Sequence, residues 1–319
     1  MDLSIILPVY NVEPYLSSCL NSIFQKKEYS FEVIAINDGS TDNSLKILEE
    51  YKAKFSNLTV ISQKNSGPSV ARNKGLAKAK GNYIYFFDSD DILHDSINLI
   101  SLSQNTDVDI ITFNAEVFKD NENNILESVD SYKEPRVIYK INQSKYVNNI
   151  QLVNYSGMQY FDIIRKVGSY TPVVWRKIYK KSFLQDYNLE FHPNIIAGED
   201  DLHFIQTLLC NPKILHYNQS VVLHRIRGTS LMGSLNRQKK YDSFYTVLLE
   251  LINLRSKYNR DSDEFKHVEW AINVFFRKLY YQNPKRLQIY NLLKFSKKNK
   301  VRLNLKTILR MSMGIIMGK

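Results

Sequence analysis

Cysteine is nearly missing from this chain, with two residues, Cys19 and Cys210, among 319. Each sits in an apolar helical pattern, so the pair reads as two reduced core thiols of a cytosolic protein. Neither a disulfide framework nor a zinc site is implied. Long apolar runs are missing too. No stretch approaches the ~18 residues of a membrane span, and no basic segment or cleavage site precedes the first apolar run, so neither secretion nor a span is expected. Matches such as Asn57-Leu58-Thr59 to a glycosylation acceptor are then chance. The third absence is local. From Lys285 to Lys319 there are ten Lys or Arg and no Asp or Glu, which leaves about +1 of the net +11 for residues 1–284. A nearly neutral body with a basic tail does not make a broad phosphate-tracking face, and no nucleic-acid partner is expected.

What is present is globular: 44% hydrophobic and 24% charged, long enough for one large α/β domain and a smaller appendage. Leu3 to Val9 is an apolar, β-branched run that predicts a central strand. Leu16, Cys19, Leu20, Ile23 and Phe24 then recur at helical spacing, with Pro14 in the first turn. The unit repeats. Phe31 to Ile36 predicts a strand, Asn37 to Asp42 a loop, and Leu45, Leu48, Tyr51 and Phe55 the buried stripe of a helix. Thr59 to Ser62 predicts a third strand, and Pro68 opens a helix through Ala71, Leu76 and Ala79. Repeated strand–helix units imply a parallel, doubly wound sheet that binds ligands at the carboxyl ends of its strands. Asn11, Asp38, Lys64-Asn65 and Asp88 to Asp91 all fall at such ends.

The last of these is the most unusual. Tyr83 to Phe87 is apolar or aromatic and runs directly into Asp88, Asp90 and Asp91. Carboxylates that close repel one another unless a cation sits among them, and hard oxygen ligands favour Mg²⁺ or Mn²⁺ shared with substrate phosphates. An Asp-rich turn capping a following helix is the alternative reading.

Taken together, Leu3-Ser4-Ile5-Ile6-Leu7-Pro8-Val9-Tyr10-Asn11, Glu32 to Asp42, Asn65 to Gly75 and the Asp88–Asp91 cluster resemble the successive signatures of a family 2 glycosyltransferase of the GT-A fold. The resemblance is specific over residues 1–115 and looser to about 230. It implies an α/β, Rossmann-like nucleotide-binding sheet with flanking helices over residues 1–232, of which 1–115 is the nucleotide-sugar half and 116–232 the acceptor half. A helical, basic region, 233–319, follows.

The resemblance also implies roles. Asp90 would ligate Mn²⁺ or Mg²⁺ bridging two phosphates, Asp88 would face the ribose or the metal's waters, and Asp91 would support them or cap a helix begun by Ile92. Asp38 would accept from uracil N3–H, with Pro8, Tyr10 and Asn11 lining the base and Asn65 beside them. Arg72 would aim at the diphosphate. In Gly198-Glu199-Asp200-Asp201 the acids fill the first turn of a helix, where its dipole favours them without any catalytic task. The family uses one such carboxylate as general base, for which Asp200 ranks first, Glu199 second and Asp201 third. Arg227 to Leu231 resembles a loop that closes over the diphosphate through Arg227 and Ser230. His224 stands where relatives carry an aromatic residue, as either a third metal ligand or a core histidine. Val174 to Tyr179 resembles a short helix whose Trp175 stacks on a sugar or sits in the core.

From Asn236 the pattern is helical, with stripes at Tyr241, Phe244, Tyr245, Leu248, Leu251, Ile252 and at Phe265, Val268, Ile272, Phe275, Leu279. In the tail, Arg302, Lys306 and Arg310 lie beside Leu305, Ile308 and Leu309, a basic amphipathic pattern that suits an anionic membrane face, a helical cap on the domain, or a homodimer contact. The expectation is an inverting, metal-dependent enzyme of the hexosyl- or N-acetylhexosaminyltransferase class. Its donor would be a nucleotide sugar, with UDP the expected nucleotide, and its acceptor a glycan or lipid-linked glycan. It would work in the cytoplasm at the inner membrane face of a bacterium, on capsule, lipopolysaccharide, teichoic acid or exopolysaccharide. A nucleotidyltransferase and a non-catalytic nucleotide-sugar-binding partner are the alternatives.

Overall fold

The computed structural model describes residues 2–25, 30–94, 107–119, 127–132, 145–147, 150–167, 171–227, 235–282, 286–304 and 307. Strands β1 (Leu3–Val9), β2 (Phe31–Asn37), β3 (Leu58–Ser62) and β4 (Tyr83–Phe86) pair in parallel in the order β3-β2-β1-β4. Helices α1 (Glu13–Phe24), α2 (Ser44–Lys52) and α3 (Pro68–Lys78) connect them, with Pro14 and Pro68 in first turns where a missing N–H costs nothing. β1, β2 and β4 are mostly apolar because both faces are covered, whereas the edge strand β3 is largely half-buried or exposed. Ile6, Ile34, Ile36, Ile84 and Phe86 enter one core layer, while Ile5, Leu7, Val33, Ala35, Tyr85 and Phe87 enter the other. In α2 only part of the expected stripe is buried, Leu48 fully and Leu45 with 36% of its surface exposed.

Beyond β4 the sheet is mixed, where wholly parallel pairing was expected. The further strands are β5 (Ile92–Leu93), β6 (Ile110–Lys119), β7 (Glu127–Tyr132), β8 (Lys145–Val147), β9 (Ile150–Ser156), β10 (Lys177–Lys180) and β11 (Lys213–Ile226). The order continues β4-β10-β6-β11-β9-β8, with β10 antiparallel to both β4 and β6. The expected helix at Val174–Tyr179 is therefore a 3₁₀ turn, Val174–Arg176, followed by a central strand. Its side chains are buried on both faces, and its backbone bonds close the gap between the two halves of the sheet. Ile92 begins a strand on β11, not a helix.

Helices α4 (Gly157–Val167), α5 (Lys181–Asp186) and α6 (Glu199–Leu209) flank this second half. The chain ends in α7 (Arg237–Arg255), α8 (Asp263–Gln282) and α9 (Arg286–Lys298). Asn236 caps α7 by accepting from the Lys239 N–H at 2.8 Å. Phe244, Leu248 and Leu251 of α7, with Val268, Ile272, Phe275 and Leu279 of α8, share one core with Phe204, Ile205 and Leu208 of α6. Among the described residues no helix is long and apolar enough to cross a membrane. The amphipathic tail pattern reaching Arg310 and Ile316 falls almost wholly outside the described residues.

Candidate active site

The carboxyl ends of the parallel strands β1, β2, β3 and β4 lie along one edge of the sheet, and the loops there are held by their own polar side chains. Asn11 adopts a left-handed conformation, φ +49°, and its Oδ1 accepts from Thr41 N–H at 2.8 Å, tying the loop after β1 to the loop after β2. Tyr10 beside it is 44% exposed, leaving an aromatic surface at the rim, and Pro8 is half-buried. Asp38, buried at the end of β2, accepts from Gln63 Nε2 and from the backbone N–H groups of Ser66 and Gly67, each at 2.8 Å. Its carboxylate thus shapes the loop carrying exposed Asn65.

Arg72 lies on the face of α3 that meets the sheet. A Cβ at Gly75, one turn later, would stand 2.4 Å from Ile6 Cγ2, so glycine lets the helix press against β1 and buries Arg72 with it. The guanidinium then reaches both acidic clusters. Nη1 lies 3.2 Å from Glu199 Oε1 and 3.1 Å from Asp200 Oδ1, and Nη2 lies 3.3 Å from Asp88 Oδ1. Phe191 packs against it, with the ring centroid 5.2 Å from Cζ. Two clusters more than 100 residues apart in sequence meet on one side chain.

At the donor end the three aspartates take different surroundings. Asp88 is partly exposed and faces Arg72. Asp90 Oδ2 forms an ion pair with Arg227 Nε at 2.6 Å. Asp91 is fully buried: both its oxygens lie 3.0 Å from His224 Nδ1, and Oδ1 accepts from Arg225 N–H at 2.9 Å. It therefore caps no helix; it ties the acidic loop to β11. His224 stacks on Trp175 with ring centroids 4.4 Å apart, and Trp175 is 3% exposed, which makes it a core residue and not a sugar platform. Ser230 lies outside the described residues. Arg225, which sequence reading passed over, donates from Nε to the Asp90 carbonyl at 2.9 Å; its alternate placement after His224 on β11 was the available signal.

At the other end, Asp200 Oδ2 accepts from Val174 N–H at 3.3 Å, so the carboxylate is oriented from both sides. Asp201 turns away and binds Lys278 Nζ at 2.6 Å. Burial, then the charge on Asp200, push Glu199 up to about 7. Burial raises Asp200 as well, against the opposing charge of Arg72. Asp88 is raised by burial and further by Asp90, again with Arg72 opposing. Buried carboxylates of raised pKa that share one cation are candidates for proton transfer.

Burial pushes Asp91 up to about 7 against the opposing His224 partner, with Asp90 and Asp88 adding smaller upward pushes. Among the described residues no group of three or more His, Cys, Asp or Glu side chains is disposed to hold a metal ion by itself. Asp88 and Asp90, each beside an arginine (Arg72 and Arg227), offer hard carboxylate oxygens of the kind that a divalent ion shares with phosphates and water.

Comparison with known proteins identifies the family. The sequence profile of the family described as "Glycosyl transferase family 2" matches residues 4–168. The chain is 32% identical over 233 residues to Glycosyltransferase GlyA of Streptococcus pneumoniae serotype 4, covering 72% of this chain and 31% of that protein. It is 30% identical over 218 residues to the poly(ribitol-phosphate) beta-glucosyltransferase of Bacillus spizizenii, covering 67% and 30%. The match thus spans about a third of the length of these two curated relatives. Staphylococcus aureus TarS, residues 1–349 in complex with UDP-GlcNAc, superposes with a TM-score of 0.63 at 23% identity, over 88% of this chain and 73% of that one. At that identity the likeness is one of fold, and the fold is GT-A.

Proposed function

We propose, from the premise that the chain belongs to glycosyl transferase family 2, that it moves a hexosyl or N-acetylhexosaminyl group from a uridine diphosphate sugar to a hydroxyl of a bacterial surface glycan, inverting the anomeric configuration. The observation that carries the reading is the Arg72 bridge, because it brings Asp88 and Asp200 onto one guanidinium, from two acidic clusters far apart in sequence. The donor class is supported by the UDP-GlcNAc complex of TarS and the acceptor class by the printed activity of the Bacillus relative.

In this mechanism the loops of Asn11, Asp38 and Asn65, with exposed Tyr10, receive the nucleotide. Asp200, oriented by Arg72 and the Val174 N–H, accepts the proton of the acceptor hydroxyl, with Glu199 as the second candidate. The acceptor oxygen forms its bond to the anomeric carbon as the bond from that carbon to the diphosphate breaks, and the electron pair leaves with the nucleoside diphosphate. A divalent ion held by Asp90 and Asp88 would supply electrostatic stabilisation of that leaving group. Arg227 is placed to exchange its Asp90 partner for diphosphate oxygens. The basic tail gives the enzyme peripheral contact with an anionic membrane, which places the reaction at the cytoplasmic face.

A screen of nucleotide sugars, reading released nucleoside diphosphate with Mn²⁺ and with chelator, tests this. Release of UDP from one donor, abolished by chelator and by Asp90→Ala, is the expected result. Release of pyrophosphate would assign nucleotidyl transfer instead, and donor binding without turnover would assign a binding protein.

A further inference from the structure

The first turn of α6 is gripped from behind by the C-terminal helices, at positions that no motif of the nucleotide-binding half includes. Successive helical residues point about 100° apart, so three acids in a row cannot all face Arg72. Glu199 and Asp200 reach Arg72; Asp201 faces the opposite way, 8% exposed, with its Oδ1 2.6 Å from Nζ of Lys278 on α8. That ammonium is itself fixed, lying 4.7 Å from the ring centroid of Phe275 and 5.4 Å from that of Phe244. The same two rings close on Gly198, the left-handed residue (φ +85°) that starts the helix, where an added Cβ would stand 3.3 Å from each. One turn of α7 completes the grip. Buried Ser243 Oγ accepts from the N–H groups of both Ile196 and Ala197, each at 3.0 Å.

We infer that α7 and α8 form a clasp that sets the position of the Glu199–Asp200 turn, with Lys278 and Ser243 as positioning residues for the proton acceptor. The inference rests on the reading of that turn as the base. Three separate contacts from α7 and α8 converge on residues 196–201, while on the donor side the segment is held by other groups, Ser69 Oγ donating to the Ile195 carbonyl at 3.1 Å and Arg72. Loosening the clasp moves Asp200 relative to the acceptor hydroxyl and leaves those donor-side ties in place.

The test compares Lys278→Met, Lys278→Arg and Ser243→Ala with wild type in the full chain, measuring kcat, donor KM and hydrogen exchange of residues 196–204. The expected result for Lys278→Met and Ser243→Ala is a kcat lower by about 10- to 100-fold, an unchanged donor KM and faster exchange in that segment. Lys278→Arg, which keeps the charge over the two rings, restores kcat to within about threefold of wild type. If Lys278→Met does not fold, Ser243→Ala carries the test. Unchanged kcat, or a loss that appears in donor KM with exchange of 196–204 unaltered, overturns the clasp. A wild-type chain that turns over no donor overturns the enzymatic reading instead, and the exchange comparison still decides whether the helices hold this turn.

Discussion

Arg72 and Asp200 are joined at 3.1 Å, Nη1 to Oδ1, and the same guanidinium extends its other nitrogen to Asp88 at 3.3 Å. One cation on the third helix thus fixes the distance between the acidic loop of β4 and the acidic turn of α6. Its charge also opposes the upward push that burial gives both carboxylates.

Replacing Arg72 by Met leaves Asp88, Glu199 and Asp200 without their shared partner. The expected loss in stability at pH 7.5 is about 3–5 kcal/mol by denaturant unfolding, since uncompensated buried charge dominates the cost. Without the guanidinium the three folded-state pKa values rise further above their unfolded values. The penalty is therefore largest at high pH and shrinks as pH falls and the carboxyls take up protons. A loss that stays constant from pH 8 to pH 5 would show that Arg72 acts by packing alone.

Glu199 has its own pH signature. Its folded value is pushed up to about 7 from an ordinary 4.5, so between those values the folded chain holds a proton that the unfolded chain releases. The contribution to stability is fully present below 4.5 and is lost as pH rises to about 7. Glu199→Gln removes the titration, and its melting temperature should fall less steeply than that of wild type across this window. Identical slopes would mean that Glu199 is not the titrating group.

Asp91 and Asp90 should separate cleanly. Asp91→Ala strands the Arg225 N–H and the His224 imidazole, at an expected cost of about 3 kcal/mol in unfolding free energy. Asp91→Asn keeps the shape and much of the bonding, and calorimetric titration should still find Mn²⁺-dependent donor binding. Asp90→Ala should unfold normally and lose that dependence.

These distinctions show where the sequence was legible. The strands and helices from Leu3 to Phe86 were readable because their signals are local: apolar runs, helical spacing, and prolines at helix starts. The acidic turn at Glu199 was equally plain, being three acids after a glycine. The partnerships were not readable, because they depend on chain folded back from far away. Arg72 meets residues 16, 127 and 128 positions distant, and Asp91 meets His224 133 positions on. From sequence, Asp91 was open between supporting its neighbours and capping a helix, and Trp175 between a sugar platform and the core, until burial assigned both to the interior. The strand Lys177–Lys180 was missed for a related reason: four residues, two of them lysine, show neither period, and only their neighbours β4 and β6 make them a strand.

The central claim is that Asp200 takes the acceptor's proton and plays no part in holding the donor. The direct measurement is Asp200→Asn, assayed for sugar transfer and, by calorimetry, for binding of the UDP sugar with Mn²⁺. Transfer lower by about 10²- to 10⁴-fold with donor affinity essentially unchanged is the predicted result. Transfer at a near wild-type rate, or a loss explained entirely by weaker donor binding, would contradict it.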